Sequence, residues 1–216
     1  MKRWPIHDPF SGFSHLGGAI LSAVGLVALL AVAPPEPARR ISLVVYSASM
    51  LFLYLASAVY HLLPPHPQRS ARLQCWDMVA IYGLIAGTYT PICVTSLAGS
   101  GGALLLAVVW AIALAGAACR IWWRALPNGV HVAGYLALGW LAIVAIGPPR
   151  RALPAEALAL IVLGGIFYTG GVVIFATERP RLWPGRFGAH DLWHACVLAG
   201  SASHYLMILN YVAPAR

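Results

Sequence analysis

Apolar residues occur along this chain in long blocks, separated by short polar breaks. Seven blocks approach the roughly 20 residues that a helix needs to cross a bilayer: about 12–33, 41–63, 76–98, 102–119, 129–147, 155–177 and 190–212. The breaks are rich in Pro, Gly or charge: APPEPARR, LPPHPQRSAR, AGSGG, RIWWRALPNG, GPPRRALP and ERPRLWPGRFGAH. The pattern predicts an all-α membrane protein, a seven-transmembrane helix bundle, with residues 1–216 as one domain and no soluble domain left over. Phe13–Ala33 lacks a convincing signal-peptidase site and reads as a retained first helix.

Composition supports this class: 60% of residues are hydrophobic and 9% charged, outside the range of soluble domains. The net charge of +8 does not indicate nucleic acid, because Lys and Arg fall in small groups between the apolar blocks. Their alternation predicts orientation. With the N-terminus inside, that side receives Lys2, Arg3, Arg69, Arg72, Arg120, Arg124, Arg179, Arg181 and Arg186, against Arg39, Arg40, Arg150, Arg151 and Arg216 outside. The N-terminus is expected in the cytoplasm and the C-terminus outside. Trp4, Trp122, Trp123 and Trp183 then form an inner aromatic belt, and Arg120 with Arg124 suits anionic head groups. Cys75, Cys93, Cys119 and Cys196 are scattered without a CxxC pair and read as packing residues.

Segment count and alternation also bring polar residues together. His61 closes the second block, Asp77 opens the third, and His190 with His194 opens the seventh, all on the cytoplasmic side. His190 and His194 are four apart and share a helix face, as do Ser57 and His61. Ionisable groups within a membrane usually face a cavity or the bundle interior. Three imidazoles beside one carboxylate suit a metal, with zinc favoured, and three protein ligands leave a position open for water. Asp77 has three roles open to it: direct ligand, holder of the metal's water, or general base through that water. The water-mediated role is favoured, since three imidazoles already supply a ligand set. Ser57 can orient a ligand, support an oxyanion or bond its own helix backbone.

These residues carry a resemblance. "SHLGGAI" in the first block, "SAVYH" at Ser57 to His61, "WDMVAIYGLIAGTYTP" at Trp76 to Pro91 and "FGAHDLWHACVLAGSASHY" at Phe187 to Tyr205 occur in order across the chain. Together they resemble the hemolysin III family, the bacterial branch of the progestin and adipoQ receptors, in a superfamily with alkaline ceramidases. The resemblance implies zinc on His61, His190 and His194, a zinc-associated water held by Asp77, and support from Ser57. Ser11, Ser14 and Met78 depart from residues frequent among bacterial relatives, which touches substrate or proton handling.

The leading expectation is a zinc-dependent intramembrane hydrolase of a lipid-like amide or ester in a bacterial inner membrane. The alternatives are a non-enzymatic sensor, receptor or homeostasis factor with structural zinc, and, less favoured, a pore-forming cytolysin. His15 is a second-tier cavity residue, either a proton carrier or a donor to a ligand, against a local interfacial bond. His204 lies ten residues beyond His194, about 15 Å of helix rise, too far to share a metal, and is assigned to packing. His7, His66 and His131 are expected to be solvated. Gly164, Gly165, Gly170 and Gly171 are expected to let helices approach closely, and Pro91 to kink the third helix.

Overall fold

The computed structural model describes residues 8–123, 125–144, 152–180, 182–183 and 187–214. Among them are seven helices of 17 residues or more: α1 (Pro9–Val32), α2 (Pro37–Leu62), α3 (Pro67–Pro91), α4 (Gly102–Trp122), α5 (Asn128–Val144), α6 (Ala155–Thr177) and α7 (Ala189–Tyr211). Six are long and apolar enough to cross a membrane; α5 is described over 17 residues. Proline opens α1, α2 and α3, where its missing N–H costs nothing and its fixed φ suits the first turn. The break AGSGG turns through Gly99 and Gly101 at φ 75° and 86°, conformations that favour glycine. After Pro91 the third helix continues as a π-turn, Ile92–Ser96, a local change of winding at the expected kink.

The helices close into a ring. α1 packs on α2, α2 on α3, α3 on α4 and α6 on α7, while α7 returns to α1 and α5 touches α3, α4 and α6. The arrangement turns apolar side chains outward: Ile20, Leu21, Val24 and Val27 of α1 are exposed, as are Ile166 and Val173 of α6. Ser22, Ser47, His61 and Ser201 are buried instead. A surface of this kind is matched to lipid, and the chain is a multi-pass membrane helical bundle.

Small residues set the close approaches. A Cβ on Gly164 would lie 2.3 Å from His204 Nε2, and one on Gly171 2.7 Å from Trp193. His204 Nε2–H donates to the Ile161 carbonyl at 3.1 Å, which gives it the expected packing role between helices. Gly170 meets nothing, so the glycine expectation holds for part of its run.

Several expectations change. α3 begins at Pro67, nine residues before the apolar block, because the turns containing Gln68, Arg69 and Arg72 are helical yet too polar for a hydropathy window. Asp77 therefore lies well inside α3, about 15 Å from its first residue. His131 is buried, not solvated, and its Nδ1 is 3.3 Å from the Tyr82 hydroxyl. Arg120 is also buried rather than set among head groups, with Nη1 donating to Asn128 Oδ1 at 3.4 Å. Hydropathy gives the depth of a residue but not whether its helix face points inward. Trp122, Trp123 and Trp183 are exposed, as a belt requires, and His66 is exposed. Lys2, Arg3, Trp4, His7, Arg124, Arg150, Arg151, Arg181, Arg186 and Arg216 lie outside the described residues. All four cysteines are free.

Candidate metal centre

His61 sits at the penultimate position of α2, and His190 and His194 occupy the first two turns of α7. The α7 N-terminus is fixed by Asp191, whose Oδ2 accepts the Gly188 N–H at 2.9 Å, so the helix starts where His190 must stand. One helical turn separates His190 from His194, and α1 and α2 close over them.

The three imidazoles form a nearly equilateral group. Ring centroids are 4.7 Å apart for His61 and His194, 4.8 Å for His190 and His194, and 5.1 Å for His61 and His190. One nitrogen from each lies within 4.8 Å of the others. His194 Nε2 is 3.1 Å from His190 Nε2. Two nitrogens on one tetrahedral zinc, at 2.0–2.1 Å each, would stand about 3.3 Å apart.

The other ring atoms sharpen the fit. His61 is 1% exposed, and its Nδ1–H donates to Asp8 Oδ2 at 3.2 Å while its Nε2 is buried without a hydrogen-bond partner. A buried polar nitrogen left unpaired is costly unless something fills its lone pair. His194, 3% exposed, uses Nδ1 toward His15, 2.9 Å from its Nε2, which leaves its own Nε2 facing His190. The donor set and the orphaned nitrogen both suit a metal held by three imidazoles. His61, His190 and His194 thus form a group able to bind a metal ion.

Asp77 and Ser57 stand beside this group. The Asp77 carboxylate is within electrostatic reach of His61 and interacts with the buried Ser57 hydroxyl. Both line a cavity of about 300 Å³ that also reaches His15, His190 and His194. Beyond them its wall is mainly apolar, with Leu53, Ile81, Leu84 and Ile85 among its residues, and it extends past His204 to Met207. The centre therefore opens onto an apolar chamber inside the helix ring.

Sequence reasoning missed two residues here, Asp8 and Asp191, and noted Ser11 only as a departure from relatives; Ser11 Oγ donates to Asp191 Oδ1 at 3.0 Å. Asp8 had one legible signal, the Asp-Pro start that places an N-cap residue before α1. Ser14 bonds the Ser11 carbonyl, and Met78 lends its carbonyl to Tyr135. Tyr89 lines the chamber and donates to the Leu138 and Gly139 carbonyls, while Thr90 donates to the Ala86 carbonyl of its own helix.

The sequence model of the family described as "Haemolysin-III related" matches residues 4–205. The chain is 35% identical to "Hemolysin-3" of Bacillus cereus, covering 99% of this chain and 95% of that protein. It is 34% identical to the "Hemolysin-3 homolog" of Bacillus subtilis (strain 168), covering 93% and 92%. A more distant similarity, 26% identity over 98% of this chain and 59% of the other, links it to "Heptahelical transmembrane protein ADIPOR3" of Oryza sativa subsp. japonica.

Proposed function

The chain belongs to the haemolysin III family, and on that premise we propose that it is a zinc-dependent intramembrane hydrolase of a lipid-like amide or ester. The observation that carries this reading is the juxtaposition of a three-imidazole group, a carboxylate and a buried hydroxyl beside an apolar chamber. We place seven spans in the bacterial inner membrane, with α5 as the fifth, the N-terminus in the cytoplasm and the C-terminus outside. The charge alternation supports that orientation. The word "heptahelical" in the rice protein's name agrees with the count.

His61, His190 and His194 would hold the ion. Bound there, zinc would polarise a carbonyl and lower the pKa of a water. Asp77 takes the proton from the attacking water as that water's oxygen bonds to the carbonyl carbon. Ser57 Oγ–H, beside Asp77, donates to the developing oxyanion. Collapse breaks the acyl C–N or C–O bond, and Asp77 returns its proton to the departing amine or alkoxide. The products are a free fatty acid and an amine or alcohol. The apolar wall from Leu53 to Met207 accommodates the acyl chain, placing the polar end of the substrate at the histidines. His15 acts through His194, holding its ring in place.

The test is turnover by purified protein in mixed micelles, with long-chain N-acyl and O-acyl lipids offered in parallel. Release of fatty acid from one class, lost in His61→Ala, supports the proposal. No turnover of either class by fully zinc-loaded protein would reverse the ranking in favour of a structural metal in a sensor. Leakage of small ions from vesicles, unchanged in the histidine variants, would instead favour pore formation, the kind of activity that the name of the Bacillus relatives suggests for those proteins.

A further inference from the structure

Asp8, Ser11 and His15 are spaced by three and four residues at the start of α1, so they lie along one face of the helix. Each bonds an element of the histidine group. Asp8 Oδ2 accepts from His61 Nδ1 at 3.2 Å, Ser11 Oγ donates to Asp191 Oδ1 at 3.0 Å in the turn that carries His190, and His15 pairs with His194 Nδ1 at 2.9 Å. Gly12, between them, has no side chain to hold α1 off α2: a Cβ there would lie 2.5 Å from Leu62 Cδ2 and 3.4 Å from His61 Cβ.

Asp8 shows that this face has a use beyond starting a helix. Asp is among the strongest N-cap residues, since its carboxylate normally accepts from the N–H groups of the first turn, a contact worth about 1 kcal/mol. Here the carboxylate makes no capping bond. It turns to His61, and the Asp8 N–H donates to the His61 carbonyl at 3.2 Å, so both ends of Asp8 grip one residue of the next helix. A carboxylate accepting from Nδ1 fixes the tautomer in which Nε2 carries a lone pair. That Nε2 is the buried atom without a hydrogen-bond partner.

We propose that Asp8 is the positioning residue of the centre: it holds His61 as the Nδ1–H tautomer and aims its Nε2 at the point His190 and His194 share, with Ser11 and His15 doing the corresponding work for α7. The inference rests on the reading of the three histidines as metal ligands. Partners on the outer nitrogen of a ligating histidine generally change metal affinity by about 10–100-fold.

The test uses the full-length protein in detergent, with Asp8→Ala and Asp8→Asn. Asp8 is 37% exposed at its side chain and precedes α1, so both variants are expected to keep the fold, checked by size-exclusion profile and helical circular dichroism. Nitrogen-15 spectra of histidine-labelled, metal-free protein read the His61 tautomer, and chelator competition reads the zinc dissociation constant. The expected result is an Nδ1–H His61 in the parent protein, a shift toward the other tautomer in Asp8→Ala, and zinc binding weakened about 10–100-fold. Asp8→Asn keeps an acceptor oxygen and should restore the tautomer and most of the affinity. An unchanged His61 spectrum with affinity within twofold in Asp8→Ala overturns the proposal. If the parent protein binds no zinc, the ligand reading fails, while the tautomer comparison still decides whether Asp8 orients His61. If Asp8→Ala misfolds, Asp8→Asn and the parent spectrum decide: His61 found as the Nε2–H tautomer in the parent overturns it.

Discussion

His194 Nε2 lies 3.1 Å from His190 Nε2, one helical turn along α7. A pair of imidazole nitrogens at that separation either shares a proton or shares a cation. The third ring bears on the choice: His61 stands 4.7 and 5.1 Å from the two by centroid, with a buried Nε2 that a proton shared between His190 and His194 would leave unsatisfied. A cation at the common point would satisfy all three rings.

Asp77 is outside the ring triangle and faces Ser57 and the chamber. Asp77→Asn preserves shape while removing the base, so the variant should keep its metal and lose about 10²–10⁴-fold in turnover. Parallel metal analysis and fatty-acid release measure this. Turnover equal to the parent protein would remove Asp77 as the base.

His15 touches His194 on the nitrogen that faces away from the other two histidines. His15→Ala should weaken zinc by about 10-fold or more, and His15→Gln, which keeps a polar partner, by less. Chelator competition provides the comparison. Equal affinities in all three proteins would make the His15 contact incidental.

In the proposed reaction the chamber would set the substrate's shape. Ile85 lines it from α3, eight residues beyond Asp77. Ile85→Trp should leave metal content unchanged and reduce turnover of long-chain lipids at least about tenfold, with short chains less affected, as expected where bulk is added to an apolar pocket. A chain-length series in the micelle assay would show it, and equal loss at every length would argue that the acyl chain lies elsewhere.

Gly164→Ala sets a different kind of change. Its Cβ would meet His204 Nε2 at 2.3 Å and displace the bond to Ile161. Overpacking of this kind costs about 1–3 kcal/mol. The melting temperature should fall while metal content is retained, because His204 is about 15 Å along the helix from His194. Metal loss without destabilisation would contradict the separation of the two histidines.

The histidine group was legible because its depth follows from segment count alone. Alternating spans predict that the end of the second block meets the start of the seventh, where His61, His190 and His194 stand in the structure, and a spacing of four puts two of them on one face. Asp8 was not, since it precedes the apolar block and its role depends on how closely α1 approaches α2 at Gly12. Arg120 and His131 were misjudged for a related reason: both lie near polar breaks, yet the faces that carry them turn inward toward α3 and α5. Asp77 was placed too near a helix end because polar turns before it, around Arg69 and Arg72, are helical without being apolar.

The proposed hydrolysis depends on a zinc ion held by His61, His190 and His194. Metal analysis with X-ray absorption on the purified protein, His61→Ala and His194→Ala tests it directly. One zinc per chain with three nitrogen neighbours and one lighter oxygen, lost from both variants, is the predicted result. No stoichiometric metal in the parent protein, or full zinc content in either variant, would contradict it.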